Sequence, residues 1–411
     1  MKADPQAMGT MTVESTVVAS GFWDQLPVDV RSPEYRADPY PFFDLLRGEG
    51  PVVRLSDGVL AVTGYRECLA VLADPRFGMK PLGMDGRSLL MTDPPVHRRL
   101  RSRVAGPFAA RAVDRLRPAI SHRVAALVSR VGPSGEVDVI EDLGVPLTLD
   151  VICAVVGMPL EERPAWFEAL SCLAAGFDPE ALLDDETRAR VTCARLDFAR
   201  YLGGLIEERR RHPAGDFVSA LVGPGPDGSL LTEEQIIAGV SQLVVAGFEP
   251  AVNLIANGLH ALLRHPDQLA RLRQCPRTAP DVVEELLRFD PPIQLVPRVA
   301  LRDADIRGVP VTEGTVVGLL VGAANRDPDV YADPHRLDTG RVPQHLSLGW
   351  GEHFCLGARL VRVQAQLTLT ALARRRPMAE DEPVRYKATL ISRGLERLPV
   401  VLTAPEDQEP R

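Results

Sequence analysis

The sequence predicts a mainly α chain with a smaller β portion. Three observations carry this reading. From Ala112 to about Val222 the apolar residues recur almost throughout at helical spacing. A long, mostly apolar helix is predicted from Glu233 to about Arg264, and the final third alternates short strand-like runs with turns. With 411 residues, 45% hydrophobic and 25% charged, the chain has the composition of a soluble globular protein with a large core.

The elements follow in order. Residues 1 to about 20 read as a mobile tail without an apolar run, so neither a signal peptide nor a membrane anchor is expected. Asp38-Pro39-Tyr40-Pro41 opens a helix through Leu46. Val52–Leu55 and Val59–Val62 flank Asp57-Gly58 as a hairpin, and a helix from Tyr65 to Leu72 stops at Asp74-Pro75. Phe77–Leu90 is a glycine-rich loop. Pro94-Pro95 starts a helix that carries His97 and Arg101 at i and i+4 on one face. Helices are expected over Val113–Val131, Val145–Val156, Glu161–Cys172 and Glu186–Arg211, and Thr232 caps the long helix. A helix around Val282–Arg288 puts Glu285 and Arg288 at i and i+3. Strands are expected at Val309–Val317, Thr389–Leu395 and Leu398–Leu402 around an aperiodic stretch from Asn325 to Leu346.

Charge and cysteine usage exclude several classes. The net charge of −8 argues against a general nucleic-acid partner. Six scattered cysteines without a C-x-x-C pair fit a reducing cytosol, and neither a disulfide scaffold nor a zinc site. Of the 47 basic residues only Lys2, Lys80 and Lys387 are lysines, a bias that suggests a GC-rich genome.

The chemistry concentrates at Leu348-Gly349-Trp350-Gly351-Glu352-His353-Phe354-Cys355-Leu356-Gly357. Three glycines, a histidine and a cysteine sit in a tight turn just before a helix. A helix N-terminus lowers a thiol pKa, and glycine permits close backbone approach. The ordinary reading of a lone cysteine is a buried structural one. This loop, however, resembles the haem-binding loop of the cytochrome P-450 family, Phe-Gly-x-Gly-x-His-x-Cys-x-Gly, with Leu348 in place of the phenylalanine. Asp93-Pro94-Pro95 with His97 and Arg101, the acidic-centred long helix, Glu285-x-x-Arg288, Asn325-Arg326-Asp327-Pro328 and Asp338…Arg341 match the same family in order, over roughly Asp38 to Leu402.

The resemblance implies a cytochrome P-450-like catalytic domain over 21–411, with haem b between the central helix and the cysteine loop. Cys355 is the implied iron ligand, within a loop that includes Leu348, Gly349 and Gly357. His97, Arg101, Arg298 and His353 are implied to meet the two propionates. Glu285, Arg288 and Arg341 are implied to hold the scaffold. In the central helix Ala246, Gly247 and Glu249 match the family, but Pro250 replaces its threonine. Proline withholds an N–H from the Ala246 carbonyl, which implies a kink and a carbonyl free to bind water. Three accounts of Pro250 remain open: a substrate group relays protons, a water chain at Ala246 and Glu249 does, or the reaction depends less on that relay.

Substrate contacts are implied from the Phe77–Leu90 loop, Leu170–Phe177, Leu243, Ala246, Gly247, Ile293–Val296, Leu390 and Ile391, which suits a small, largely apolar molecule. The activity implied is dioxygen-dependent oxidation, most simply hydroxylation, in bacterial secondary metabolism. Oxidative coupling, dehydrogenation and peroxide use are the alternatives, and a non-catalytic haem protein is the alternative from another class. A ferredoxin with its reductase is the implied electron source, docking on Arg98, Arg99, Arg101, Arg103, Arg111, Arg359 and Arg362. A cytoplasmic monomer without membrane or nucleic-acid contact completes the expectation.

Overall fold

The structure, a computed structural model, describes residues 29–30, 32–55, 58–79, 89–159, 166, 169–170, 172–173, 183–225, 228–379 and 383–404. The expected tail, residues 80–88 of the expected loop, and most of Glu161–Cys172 and Leu170–Phe177 lie outside them.

The architecture is built around the helix Glu233–Leu263. Thr232 starts it with a capping box: its hydroxyl accepts the Gln235 N–H at 3.2 Å, and the Gln235 side chain accepts the Thr232 N–H at 3.0 Å. In length and composition this helix is able to cross a membrane, yet every residue from Ala251 to Leu259 is buried in protein. It packs against helices Val145–Val156, Asp185–Arg211, Ala279–Phe289 and Ala358–Arg374, and their apolar faces form the largest core. The helix runs on through Pro250.

The β portion lies to one side. A five-stranded sheet runs in the order Val52–Arg54, Leu60–Val62, Val316–Leu320, Leu295–Ala300, Phe77–Gly78. Leu60 pairs with Val317 in parallel, and Leu295 with Leu320 antiparallel. Gly135–Asp138, Pro399–Leu402 and Met378–Ala379 form a second sheet.

Two strand expectations are corrected. Val309–Val317 divides into Val309–Val311 and Val316–Leu320, because Gly314 takes φ +85° in a turn closed by Thr315 N–H to Thr312 O. Thr389–Leu395 contributes two isolated bridges, Ser392 to Ile293 and Leu395 to Tyr386, and no strand. The residues between are spent on side-chain contacts with the central helix and the N-terminal helices.

The aperiodic stretch 325–346 has no helix or strand after Asn325. It folds around one guanidinium. Arg288, fully buried, pairs with both oxygens of Glu285 at 2.7 and 2.8 Å. It also donates to the carbonyls of Asn325, Pro334 and Arg336 at 2.8–3.0 Å. Five donors in a rigid fork make arginine the residue for this task. Arg341 Nε stands 3.5 Å from Glu285 Oε1, an electrostatic contact without a hydrogen bond.

Candidate functional site

The loop before helix Ala358–Arg374 is held from three sides. Its own backbone turns on Gly349 and Gly351, at φ +73° and +69°, where other residues are strained. Gly351 also lies against helix Tyr65–Ala73: a Cβ there would fall 2.8 Å from the Leu72 carbonyl oxygen. Asn325 and Ser347 tie the entry of the loop to helix Ala279–Phe289, through Asn325 Nδ2 to Ser347 Oγ at 2.7 Å and Ser347 Oγ to Leu287 O at 2.5 Å. From the third side Arg101 donates to the carbonyls of Glu352 and Phe354 at 3.0 and 2.6 Å, while Arg98 pairs with the Glu352 carboxylate.

Cys355 is half-buried by its exposed area, with its N–H on the Leu348 carbonyl at 2.8 Å. Burial pushes its thiol pKa up; the Gly357 N–H and the charges of Arg101 and Arg362 pull it back without reversing the shift. This corrects the expectation that the loop alone lowers the thiol pKa. Apolar enclosure outweighs the helix terminus, so deprotonation has to come with metal binding.

Basic side chains gather beside the cysteine. His97 is fully buried, and neither ring nitrogen has a hydrogen-bond partner. Its ring packs on that of His353, with centroids 4.3 Å apart. Burial, with the charges of His353 and Arg101, pulls His97 down to about 4, so it is neutral at pH 7. His353 Nε2 also lacks a hydrogen bond, standing 3.5 Å from Asp93 Oδ1. Arg298 is buried on strand Leu295–Ala300, and Nη1 reaches only uncharged acceptors, Met79 Sδ and the Pro297 carbonyl, each at 2.8 Å. Its pKa falls to about 10 under burial, opposed by Asp93.

Orphaned buried imidazoles and a buried guanidinium without a bonded carboxylate are costly unless an anion completes them. A group with two carboxylates, carrying a metal to the thiol of Cys355, meets that need. At Gly357 a Cβ would find nothing within 4 Å, so the backbone beside the thiol borders open space. The residues fit haem.

The central helix presents one accessible stripe. Between Val244 and Leu259 it is buried except at Ala246, Gly247 and Pro250, and half-buried Leu243 continues that stripe one turn back. Glu249 points away from it, is 5% exposed, and receives Lys387 Nζ at 3.2 Å. Ile293, Val296, Leu390 and Ile391 are all half-buried. Gln294 N–H donates to Ile391 O at 2.9 Å, which brings the two segments side by side. Val296 lies two residues from Arg298 on one strand face.

Two arginines of the expected docking face point elsewhere. Arg103 is buried, and its guanidinium serves the carbonyls of Leu221, Gly223 and Ser229. Arg362 is bound at both ends of the Glu284 carboxylate, at 2.6 and 2.7 Å. Arg359 pairs with Asp114 on the surface. Arg98, Arg99 and Arg111 remain exposed, Arg98 on the Glu352 carboxylate of the loop, in which Trp350 and Phe354 expose 50% and 37% of their area. The Glu284 pair was not foreseen, and neither was the lysine on Glu249. Both join residues far apart in sequence.

Comparison with known proteins gives consistent matches. A family model described as Cytochrome P450 matches residues 278–383. The "Biotin biosynthesis cytochrome P450" of Bacillus subtilis (strain 168) is 36% identical over 387 residues, 90% of this chain and 97% of that protein. "Cytochrome P450 monooxygenase PikC" of Streptomyces venezuelae is 38% identical, over 89% of this chain and 92% of that protein. Among solved structures, ligand-free CYP164A2 of Mycobacterium smegmatis superposes with a TM-score of 0.84 at 39% identity, over 93% of this chain and all of that one.

Proposed function

Because this chain belongs to the cytochrome P450 family and is a haem-thiolate monooxygenase, we propose that it binds haem b and hydroxylates a small, largely apolar organic molecule. One observation carries the reading: His97 and His353, with buried ring nitrogens that make no hydrogen bond, and buried Arg298 gather beside the loop that bears Cys355. Bound haem supplies the activation of dioxygen with two electrons.

The chain's own residues do the rest. Cys355 would hold the haem iron as a thiolate and would lend it electron density. The Gly357 N–H and the charges of Arg101 and Arg362 ease its deprotonation. His97, His353 and Arg298 hold the propionates, and Arg101 holds the loop that presents the thiolate. Glu285 and Arg288, with Arg341 nearby, fix the scaffold that leads into the loop. Leu243, Ile293, Val296, Leu390 and Ile391 exclude water and shape the substrate site. Glu249, next in sequence to Pro250, keeps its carboxylate on Lys387. Pro250 leaves the Ala246 carbonyl without its helical donor, an acceptor for water or for a polar group of the substrate. That same proline favours a second reading, oxidative coupling or dehydrogenation, which leans less on a fixed hydroxyl.

A ferredoxin and its reductase are the proposed electron donors. The exposed Trp350 and Phe354 of the loop, with exposed Arg98 on Glu352 between them in sequence, support docking of an acidic protein there. A cytoplasmic monomer acting in secondary metabolism fits the same reading. The test is the absorption spectrum of the reduced protein with carbon monoxide. A red-shifted band is expected, and it should be lost in Cys355→Ser. Purified protein without haem, or a Cys355→Ser variant with the same band, would sink the assignment.

A further inference from the structure

The hairpin of Ala304–Ile306 and Val309–Val311 closes on two residues, Arg307 and Gly308, with φ of +52° and +82°. Such a turn favours Asn-Gly or Asp-Gly, because both central residues need positive φ. Arginine is a costly choice at the first of them. What it gains is reach. The turn lays the side chain back on helix Tyr65–Ala73, where Arg307 Nη1 donates to Glu67 Oε1 at 2.6 Å. The Asp305 carboxylate accepts the Gly308 N–H at 2.8 Å and fixes the turn.

Between this turn and the helix lies a groove of about 220 Å3. Val71, Phe77 and Ile306, all buried, give it an apolar lining, and Arg66, Arg76 and Arg307 stand round it. These arginines have no part in the haem site. The helix that carries Arg66 also backs the cysteine loop, where the Leu72 carbonyl faces Gly351.

The groove holds three carboxylates, and each is already engaged. Glu67 takes Arg307, and Asp305 takes the Gly308 N–H. Asp74 takes Arg76 on both oxygens, at 2.5–3.1 Å, and also feels the charge of Arg302. The unspent groups are N–H donors. Arg66 is exposed and, among the described residues, has no hydrogen-bond or ion-pair partner. Arg76 and Arg307 each use only part of the guanidinium and are 38% and 61% exposed at the side chain.

A guanidinium presents its donors as a planar fork that matches the oxygens of a carboxylate or phosphate. The volume is below the roughly 300 Å3 at which pockets for drug-sized ligands begin, so the occupant is small. We infer that this groove binds a small organic oxyanion, a carboxylate or phosphate ester on a short apolar stem. The oxyanion meets Arg66 and the spare donors of Arg76 and Arg307, and the stem covers Val71, Phe77 and Ile306. The inference goes beyond the haem-thiolate reading and does not rest on it.

Calorimetric titration of the haem-loaded, full-length protein with phenyl phosphate, benzoate and inorganic phosphate tests it. Phenyl phosphate or benzoate should saturate one site. Inorganic phosphate, which lacks the stem, should bind at least roughly tenfold more weakly than the better of the two. Tighter phenyl phosphate identifies the ligand class as a phosphate ester, and tighter benzoate as a carboxylic acid. Arg66→Glu reverses the free charge, and Ala70→Trp fills the groove; both replace exposed residues. Each variant should weaken binding by roughly tenfold or more. The haem absorption should stay unchanged throughout. Absence of saturable binding, inorganic phosphate as tight as the stemmed anions, or wild-type affinity in either variant would overturn the inference. A haem spin shift that tracks the titration would put the ligand at the haem instead and overturn it as well.

Discussion

Pro250 and Gly351 each put an unusual backbone demand next to the chemistry. Proline inside a helix costs about 3 kcal/mol, so Pro250→Thr should raise thermal stability while restoring a donor to the Ala246 carbonyl. Peroxide release and product yield should change together. Unchanged oxygen use, yield and leakage would leave Pro250 without a mechanistic role. Gly351 is the reverse case. Its φ of +69° and the 2.8 Å approach of the Leu72 carbonyl leave no room for a methyl group. Gly351→Ala should cost about 1–3 kcal/mol in denaturant unfolding and weaken haem retention. Cost-free folding of that variant would show that the loop stands off from helix Tyr65–Ala73.

At the scale of elements, helix Ala279–Phe289 holds the cysteine loop with one face and the following helix with another. Glu284 does the second task. Burial raises its pKa, and hydrogen bonds from Arg362 and His345 more than reverse this, bringing it to about 2. A carboxylate whose folded pKa lies below its unfolded value of 4.5 adds stability above that value. The contribution drains away as pH falls from about 4.5 toward 2. Glu284→Gln should therefore be less stable than wild type at pH 7, with the gap narrowing through that window. Parallel stability curves for the two proteins would exclude the effect. This pair also marks where sequence reading stops. Glu285 and Arg288 were legible because i, i+3 geometry lies within one helix. Glu284 and Arg362 stand 78 positions apart, and Lys387 and Glu249 stand 138 apart; no local period links them. The cysteine loop was legible because all its parts are contiguous. Arg103 was misplaced for the opposite reason: its partners are backbone carbonyls, which carry no sequence signature.

For the whole molecule, the acidic total and the basic face near the loop are compatible because charge is local. Arg98, Arg99 and Arg111 are exposed in a chain of net charge −8, and Arg98 reaches the loop through Glu352. Electron transfer from an acidic ferredoxin should slow as ionic strength rises past the range where the Debye length falls to about 8 Å. Arg111→Glu should lower the rate most at low salt and so flatten that dependence. A rate insensitive to both would place the docking surface elsewhere. The layout of helices around Glu233–Leu263 was readable from periodicity, whereas the strand divisions at Gly314 and around Ser392 depended on tertiary partners.

The guanidinium of Arg288 also makes the cysteine loop depend on a distant ion pair. The stretch 325–346 has turns but no helix or strand, and the carbonyls of Asn325, Pro334 and Arg336 are gathered on a side chain of another helix. The loop that bears Cys355 is tied to that stretch through Asn325 and Ser347. A change that unpairs Glu285 and Arg288 should therefore loosen the grip on a cofactor that neither residue touches.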